Sequence, residues 1–159
     1  MSEYHTPVLL DESVSALISS TSGIYADATF GGGGHSCEIL RRLSPEGRLI
    51  SFDRDSDAIA NAPKDKRLIL IHNNFRFVQN FVRALEFIGK IDGILGDLGV
   101  SSHQFDTGER GFSFRFDAPL DMRMNQLAPK SAANVVNEYS QEELTRIFRI
   151  YGELDKPWK

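Results

Sequence analysis

Four consecutive glycines, residues 31–34, form the part of this sequence best suited to hold a ligand. They follow a short apolar run and precede a helical pattern that starts near Ser36. Glycine lacks a Cβ and permits positive φ, so the backbone of such a turn can lie close to a bound molecule. The helix after the turn presents free N–H groups at its start. This arrangement predicts a site for a nucleotide-like cofactor; a plain tight turn is the alternative interpretation.

Two carboxylates indicate which cofactor this turn would hold. Asp53 follows Gly31 by about 20 residues, which is the spacing of the acid that binds ribose hydroxyls in dinucleotide folds. The glycine pattern matches that fingerprint imperfectly, because Ser36 stands at the third glycine position. Asp27 precedes the turn, where its negative charge would repel a pyrophosphate and attract an ammonium or a sulfonium. The sequence therefore favours S-adenosylmethionine over NAD.

A second candidate group follows the predicted fourth strand. Asp97 and Gln104 lie at its carboxyl end, the edge at which open α/β sheets bind ligands. Asp97 could orient an amino group of a substrate or accept its proton; a turn or helix cap is the alternative. Ser101 and His103 suggest a hydrolase, but the sequence lacks the G-x-S-x-G turn that a serine nucleophile needs.

Aromatic and arginine residues alternate in the next segment. Such residues can stack nucleic-acid bases and bind phosphates. The alternative is that the phenylalanines pin a loop to the core while the arginines pair with Asp117 and Asp121. The candidate RNA-binding residues are Arg110, Phe112, Phe114, Arg115 and Arg123.

Strand and helix patterns alternate over the first ~100 residues, which predicts a parallel α/β sheet. Strands are predicted at 24–29, 48–53, 68–72 and 91–95, and helices at 36–43, 56–62 and 75–88, the last being the longest, with Gly89 as its C-cap. Residues 101–129 are predicted to form a long ordered loop, and 131–139 and 140–151 two helices. Ser140 and Glu143 match a capping box.

Composition limits the classes of protein that the chain can represent. The charge of −4 argues against a protein that coats nucleic acid by bulk electrostatics. The single cysteine, Cys37, excludes an intrachain disulfide and is predicted to be a small buried residue. No cluster has zinc-ligand spacing, no apolar run spans a membrane, and no secretory segment is present, so we expect a cytoplasmic protein without metal. Because strands cease near residue 97, we expect either a half-sheet or a piece of a longer chain.

Nearly the whole sequence resembles the family of bacterial 16S ribosomal RNA cytosine-N4 methyltransferases. The matching segments are residues 5–12, 27–35, 53–55, 74–75, 92–95, 97–102, 104, 109–114, 119–124 and 151–153, in the family's order. Gly32 replaces an arginine of the family pattern, His103 a proline and Gly96 a leucine. Family members are much longer, so the resemblance covers about their N-terminal half.

The resemblance implies a class I, Rossmann-like S-adenosylmethionine methyltransferase core at 1–105 and part of an inserted helical domain at 106–159. It implies methylation of the N4 amine of a cytidine in the decoding region of 16S rRNA, with the small ribosomal subunit as partner and a dimer left open. By position, the cofactor would be held by Gly33, Gly34, His35, Asp53, Phe75, Asp97 and Gln104, with Asp97 also catalytic. The alternatives are a non-catalytic RNA-binding or ribosome-assembly module and an NAD-dependent oxidoreductase.

Overall fold

A computed structural model describes residues 7–60 and 62–156 of the chain. Within them, a four-stranded sheet has the order β3-β2-β1-β4, and each neighbouring pair of strands is parallel. This order is that of the first four strands of a Rossmann sheet. The predicted α/β fold is confirmed. The strands are β1 (Ile24–Asp27), β2 (Arg48–Asp53), β3 (Leu68–His72) and β4 (Gly93–Leu95).

The sheet is covered by apolar clusters on both faces. Leu49 of β2 packs in a cluster with Val14 and Ile39, which lie on the first two helices. Ile50 and Phe52 pack in a second cluster with Val82. Successive residues of a strand point to opposite faces, so the two clusters lie on opposite sides of the sheet. The helices are α1 (Leu10–Leu17), α2 (Gly34–Arg42), α3 (Ser56–Ala60), α4 (Val78–Ala84), α5 (Ser102–Asp106), α6 (Ala132–Glu138) and α7 (Gln141–Ile150), with 3-10 turns at Phe75–Phe77 and Gly108–Arg110.

The predicted 75–88 helix is wrong in length. A 3-10 turn precedes α4, and α4 ends at Ala84 because a Schellman motif closes it. The Phe87 N–H donates to Val82 O at 2.8 Å, and the Glu86 N–H donates to Arg83 O at 3.0 Å. Glu86 adopts the left-handed conformation just after the helix end, at φ 61°. The sequence had instead predicted Gly89 as the C-cap. The longest helix of the described residues is α7.

The structure also differs from the sequence-based predictions in two further helices and in the exposure of Cys37. Helix α1 was not predicted, and α5 together with the second 3-10 turn lies inside the segment predicted as a loop. Cys37 is exposed although burial was predicted. Ile39, which contacts the core, lies on the opposite side of α2 from Cys37.

The described residues divide after Ser102 into two compact units. Beyond α5, the regular elements of the second unit are the second 3-10 turn, α6 and α7. Helices α6 and α7 each begin with a capping box. Ser140 and Glu143 form the predicted one, and Ser131 with Asn134 forms another. No helix within residues 7–60 and 62–156 has the length and apolar character needed to span a membrane.

Candidate functional site

The turn between β1 and α2 is shaped by glycines in left-handed backbone conformations. Gly31 has φ 52° and Gly33 has φ 79°, and Gly33 is the N-cap of α2. A Cβ on Gly33 would lie 2.9 Å from Phe30 Cζ, and one on Gly34 would overlap the Pro7 ring. By contrast, a Cβ on Gly31 would meet no described atom nearer than Thr29 O at 3.9 Å. The turn therefore packs against the protein on one side and is accessible at Gly31.

Asp53 connects the end of β2 to this turn. Its Oδ2 accepts the Gly31 N–H at 2.7 Å, and its Oδ1 accepts the N–H groups of Arg54 at 2.7 Å and Asp55 at 2.9 Å. An ionised carboxylate has about four lone-pair sites. Three are used by the backbone, so about one remains on Oδ2 for a hydroxyl of a ligand bound over Gly31.

Asp27 lies beneath the turn rather than on its surface. Its side chain is fully buried. Oδ2 accepts the Ser36 hydroxyl at 2.7 Å, Oδ1 accepts the Thr29 N–H at 3.0 Å, and Ser51 Oγ lies 2.8 Å from Ser36 Oγ. Burial raises the pKa of Asp27, an effect that the hydrogen bonds from Ser36 and Thr29 partly oppose. A raised pKa disfavours the charged form, which weakens the electrostatic argument for a cationic cofactor drawn from the sequence.

Asp97 and His35 are neighbours at the carboxyl edge of the sheet. The Asp97 N–H donates to Thr29 Oγ1 at 2.8 Å, and Asp97 Oδ2 lies 3.9 Å from His35 Nδ1. The Asp97 side chain is 60% exposed and that of His35 only 6%. His35 Nε2 is buried and has no hydrogen-bond partner within the described part of the chain. Buried polar atoms are costly without a partner, so this nitrogen and the open glycine turn fit a polar ligand group.

The other two predicted cofactor residues are placed differently. Phe75 begins the 3-10 turn after β3, where Asn74 caps the turn by accepting the Arg76 N–H at 3.0 Å. The Phe75 ring is partly exposed. Gln104 lies on α5, in the second unit, and is buried. The structure therefore brings together the glycines, His35, Asp53 and Asp97, and places Phe75 on the same unit.

Two of the candidate RNA-binding arginines hold their own loop. Arg110 is buried, and its guanidinium donates to the carbonyl oxygens of Arg123 at 3.0 Å and Met124 at 3.4 Å. Arg123 pairs with Asp121 at 2.6 Å and donates to Ala128 O at 2.8 Å. The pairing with Asp121 confirms one part of the structural alternative considered for this segment.

The other candidates of this loop face solvent to different extents. Phe114 is fully exposed, and Phe112 is half-buried. Arg115 is 66% exposed and pairs with the equally exposed Asp106 at 2.7 Å. Exposed pairs contribute at most about 1 kcal/mol, so Arg115 can exchange this partner for another anion. Phe114 and Arg115 are therefore the accessible pair of the segment.

Comparison with known proteins decides the family. A sequence profile of the MraW methylase family matches residues 2–158. The chain belongs to the MraW methylase family. It is 60% identical over 152 residues to the ribosomal RNA small subunit methyltransferase H of Flavobacterium johnsoniae, covering 96% of this chain and 50% of that protein. For the protein of the same name from Bacteroides fragilis the identity is 58% over 151 residues, covering 95% and 49%.

The chain spans about half the length of the curated relatives it matches. Among solved structures, it is similar to CalO1, a methyltransferase in calicheamicin biosynthesis, in its SAH-bound form. That similarity has a TM-score of 0.34 and 21% identity, and it covers 43% of this chain and 22% of CalO1.

The sequence interpretation missed three polar residues of this MraW family member. Thr29, Ser36 and Ser51 all bond to the buried Asp27 or to each other. Ser51 carried a signal, because it interrupts the apolar run of β2 and a buried strand hydroxyl needs a partner. Thr29 and Ser36 flank the glycines, where a hydroxyl residue is equally typical of an ordinary turn. Within residues 7–60 and 62–156, no group of three or more His, Cys, Asp or Glu side chains is placed to hold a metal ion.

Proposed function

We propose that this protein binds S-adenosylmethionine at the glycine turn and methylates the N4 amine of a cytidine in the decoding region of 16S rRNA. The observation that carries the proposal is the joint placement of an accessible left-handed turn, anchored by Asp53, and the His35–Asp97 pair. Membership of a methylase family and the names of the relatives support an RNA of the small ribosomal subunit as substrate. A ribosomal RNA substrate supports the cytoplasm as the compartment that we propose for this protein.

The cofactor would contact three places on the first unit. Gly33, Gly34 and the buried nitrogen of His35 face its amino-acid end, since the start of α2 offers N–H groups to a carboxylate. Asp53 Oδ2 accepts a ribose hydroxyl through its remaining lone pair. Phe75 offers a partly exposed ring beside the adenine. Gln104 lies on the second unit, and its part in cofactor binding stays a prediction from the family resemblance.

The bound S-adenosylmethionine supplies an electrophilic methyl group. The acceptor N4 is a poor nucleophile because its lone pair is delocalised into the cytosine ring. We assign to Asp97 the task of accepting an N4 proton as the new N–C bond forms and the S–C bond breaks. The Asp97 carboxylate is exposed enough to reach a substrate, and His35 Nδ1, 3.9 Å from its Oδ2, can stabilise its charge if the imidazole presents an N–H.

The RNA would be held by the loop that contains residues 110–123. The target base must leave its stack before its N4 amine can be methylated. Phe114 presents a free aromatic face to an unstacked base, Arg115 presents a cation to a phosphate, and Phe112 supports them from a half-buried position. Arg110 and Arg123 fix the loop from within, through backbone carbonyls and Asp121.

Replacing Phe114 with leucine is expected to weaken binding to single-stranded 16S rRNA fragments by about tenfold, since stacking of one base contributes roughly 1–3 kcal/mol. Phe114→Trp should bind as the original does, because it keeps a stacking surface. Both variants should keep the original thermal stability, since the ring is fully exposed. Equal binding by Phe114→Leu, measured by fluorescence anisotropy, would remove Phe114 from the RNA site.

Titration of the 159-residue chain with S-adenosylmethionine in a calorimeter tests the cofactor site. We expect saturable binding that Asp53→Asn weakens at least about tenfold, because the amide loses the charge and one acceptor atom. Asp65→Asn is the matched control. Like Asp53, Asp65 accepts a backbone N–H, that of Arg67, together with the Arg67 side chain, but it lies away from the turn. RNA binding without any cofactor binding would instead indicate a non-catalytic RNA-binding module.

A further inference from the structure

Thr29 links the buried carboxylate under the turn to the backbone of Asp97. Its Oγ1 accepts the Asp97 N–H at 2.8 Å, and the same oxygen lies 3.4 Å from Asp27 Oδ1. A hydroxyl has one hydrogen to donate, and Asp27 Oδ1 is the acceptor within reach. The Thr29 N–H also donates to Asp27 Oδ1, at 3.0 Å. Thr29 is therefore fixed to Asp27 through two groups while it holds Asp97 through a third contact.

The inner end of this chain of hydrogen bonds is fully enclosed. Asp27, Ser36 and Ser51 have no exposed surface. They belong to β1, α2 and β2, so their mutual bonds fix three elements at one point. Asp27 also lies directly between Ser51 and Leu95 in the register of the sheet. Any group bonded to Asp27 thus has a fixed position relative to the sheet.

The backbone at Asp97, the outer end of this chain of hydrogen bonds, needs an anchor because β4 stops before it. The last paired residue of β4 is Leu95, whose carbonyl accepts the Ala28 N–H at 2.8 Å. After it come Gly96, the exposed Asp97 and two more exposed residues, Leu98 and Gly99. A glycine before the aspartate permits many backbone conformations. The hydrogen bond to Thr29 selects one of them, with the Asp97 carboxylate beside His35.

We propose that Thr29 is a positioning residue: its hydroxyl fixes the backbone at Asp97 and thereby sets the place of the Asp97 carboxylate. This inference rests on the proposed role of Asp97 in methyl transfer. Thr29 itself touches neither cofactor nor substrate in this scheme. A misplacement of about 1 Å in a reacting group can cost on the order of 100-fold in rate, which is why a backbone anchor matters there.

The test compares Thr29→Val, which keeps the shape but loses the hydroxyl, with Thr29→Ser, which keeps the hydroxyl. Amide hydrogen exchange at Asp97, followed by NMR in the 159-residue chain, is the decisive measurement, since it reports the anchor without requiring turnover. We expect at least about tenfold faster exchange in Thr29→Val and the original rate in Thr29→Ser. Where transfer is assayed, Thr29→Val should lower kcat about tenfold and leave the affinity for S-adenosylmethionine within about twofold, again with rescue by serine.

Unchanged exchange at Asp97 in folded Thr29→Val overturns the inference. If the valine variant does not fold, Thr29→Ala is compared with Thr29→Ser in the same way, and equal exchange in these two overturns it as well. The proposed function fails separately: if Asp97→Ala retains methyl transfer, Asp97 is not the proton acceptor, although the exchange result still decides whether Thr29 anchors its backbone.

Discussion

Methyl transfer to small-subunit RNA is expected to fall by at least about 100-fold when Asp97 is replaced with alanine, because a positioned general base contributes roughly 100- to 10,000-fold. Asp97→Asn should lose nearly as much, since an amide cannot accept the proton. Folding should be unaffected by either change: the side chain is 60% exposed, and its backbone N–H keeps its bond to Thr29. The stability of both variants should stay within about 0.5 kcal/mol of the original.

The measurement is the transfer of labelled methyl from S-adenosylmethionine to unmethylated small ribosomal subunits under single-turnover conditions. Asp11→Asn provides a matched control, because Asp11 is also an exposed carboxylate, paired with Arg42 at 2.9 Å, but lies on α1. The control should transfer at the original rate. Unchanged transfer by Asp97→Ala would assign proton removal to another acceptor, such as a backbone carbonyl.

The sheet could be read from the sequence because each strand is a short apolar run bounded by turn residues. Arg48–Asp53 and Leu68–His72 have the predicted limits, and Asp53 could be predicted as a site residue because a strand end fixes where its side chain must lie. Gly33 and His35 were predicted from the glycine turn and from the helix start beside it. Positions determined by local backbone order are thus accessible to sequence reasoning.

Features determined by packing were not accessible in this way. Glu86 occupies a left-handed position that favours glycine, and the hydrophobic contact of Phe87 with its cluster supports this conformation. Arg110 looked like a phosphate ligand but is buried and bonded to backbone carbonyls. Asp27 was interpreted as an anion that attracts a cationic cofactor, yet it accepts the Ser36 hydroxyl from α2, and Ser51 of β2 bonds to Ser36 in turn. Each case depends on residues distant in sequence, whose contacts no local pattern encodes.

The second large effect is expected at the N-cap of α2. Gly33→Ala should weaken the affinity for S-adenosylmethionine at least about tenfold, since alanine at φ 79° is strained and its Cβ would lie 2.9 Å from Phe30 Cζ. Phe30 is buried and cannot rotate away freely, so the backbone of the turn must move. That movement displaces the Gly34 N–H and His35 from the position in which they would meet the cofactor. Calorimetric titration measures the loss.

Gly89→Ala separates this local displacement from general loss of stability. Gly89 has nearly the same φ, 73°, but a Cβ there would have no heavy atom within 4 Å. Alanine at Gly89 therefore adds left-handed strain without a clash, at a cost of about 1 kcal/mol in the free energy of unfolding. Urea denaturation should show both variants to be destabilised, whereas only Gly33→Ala should lose cofactor affinity. Equal losses of affinity in the two variants would mean that the turn has no direct part in binding.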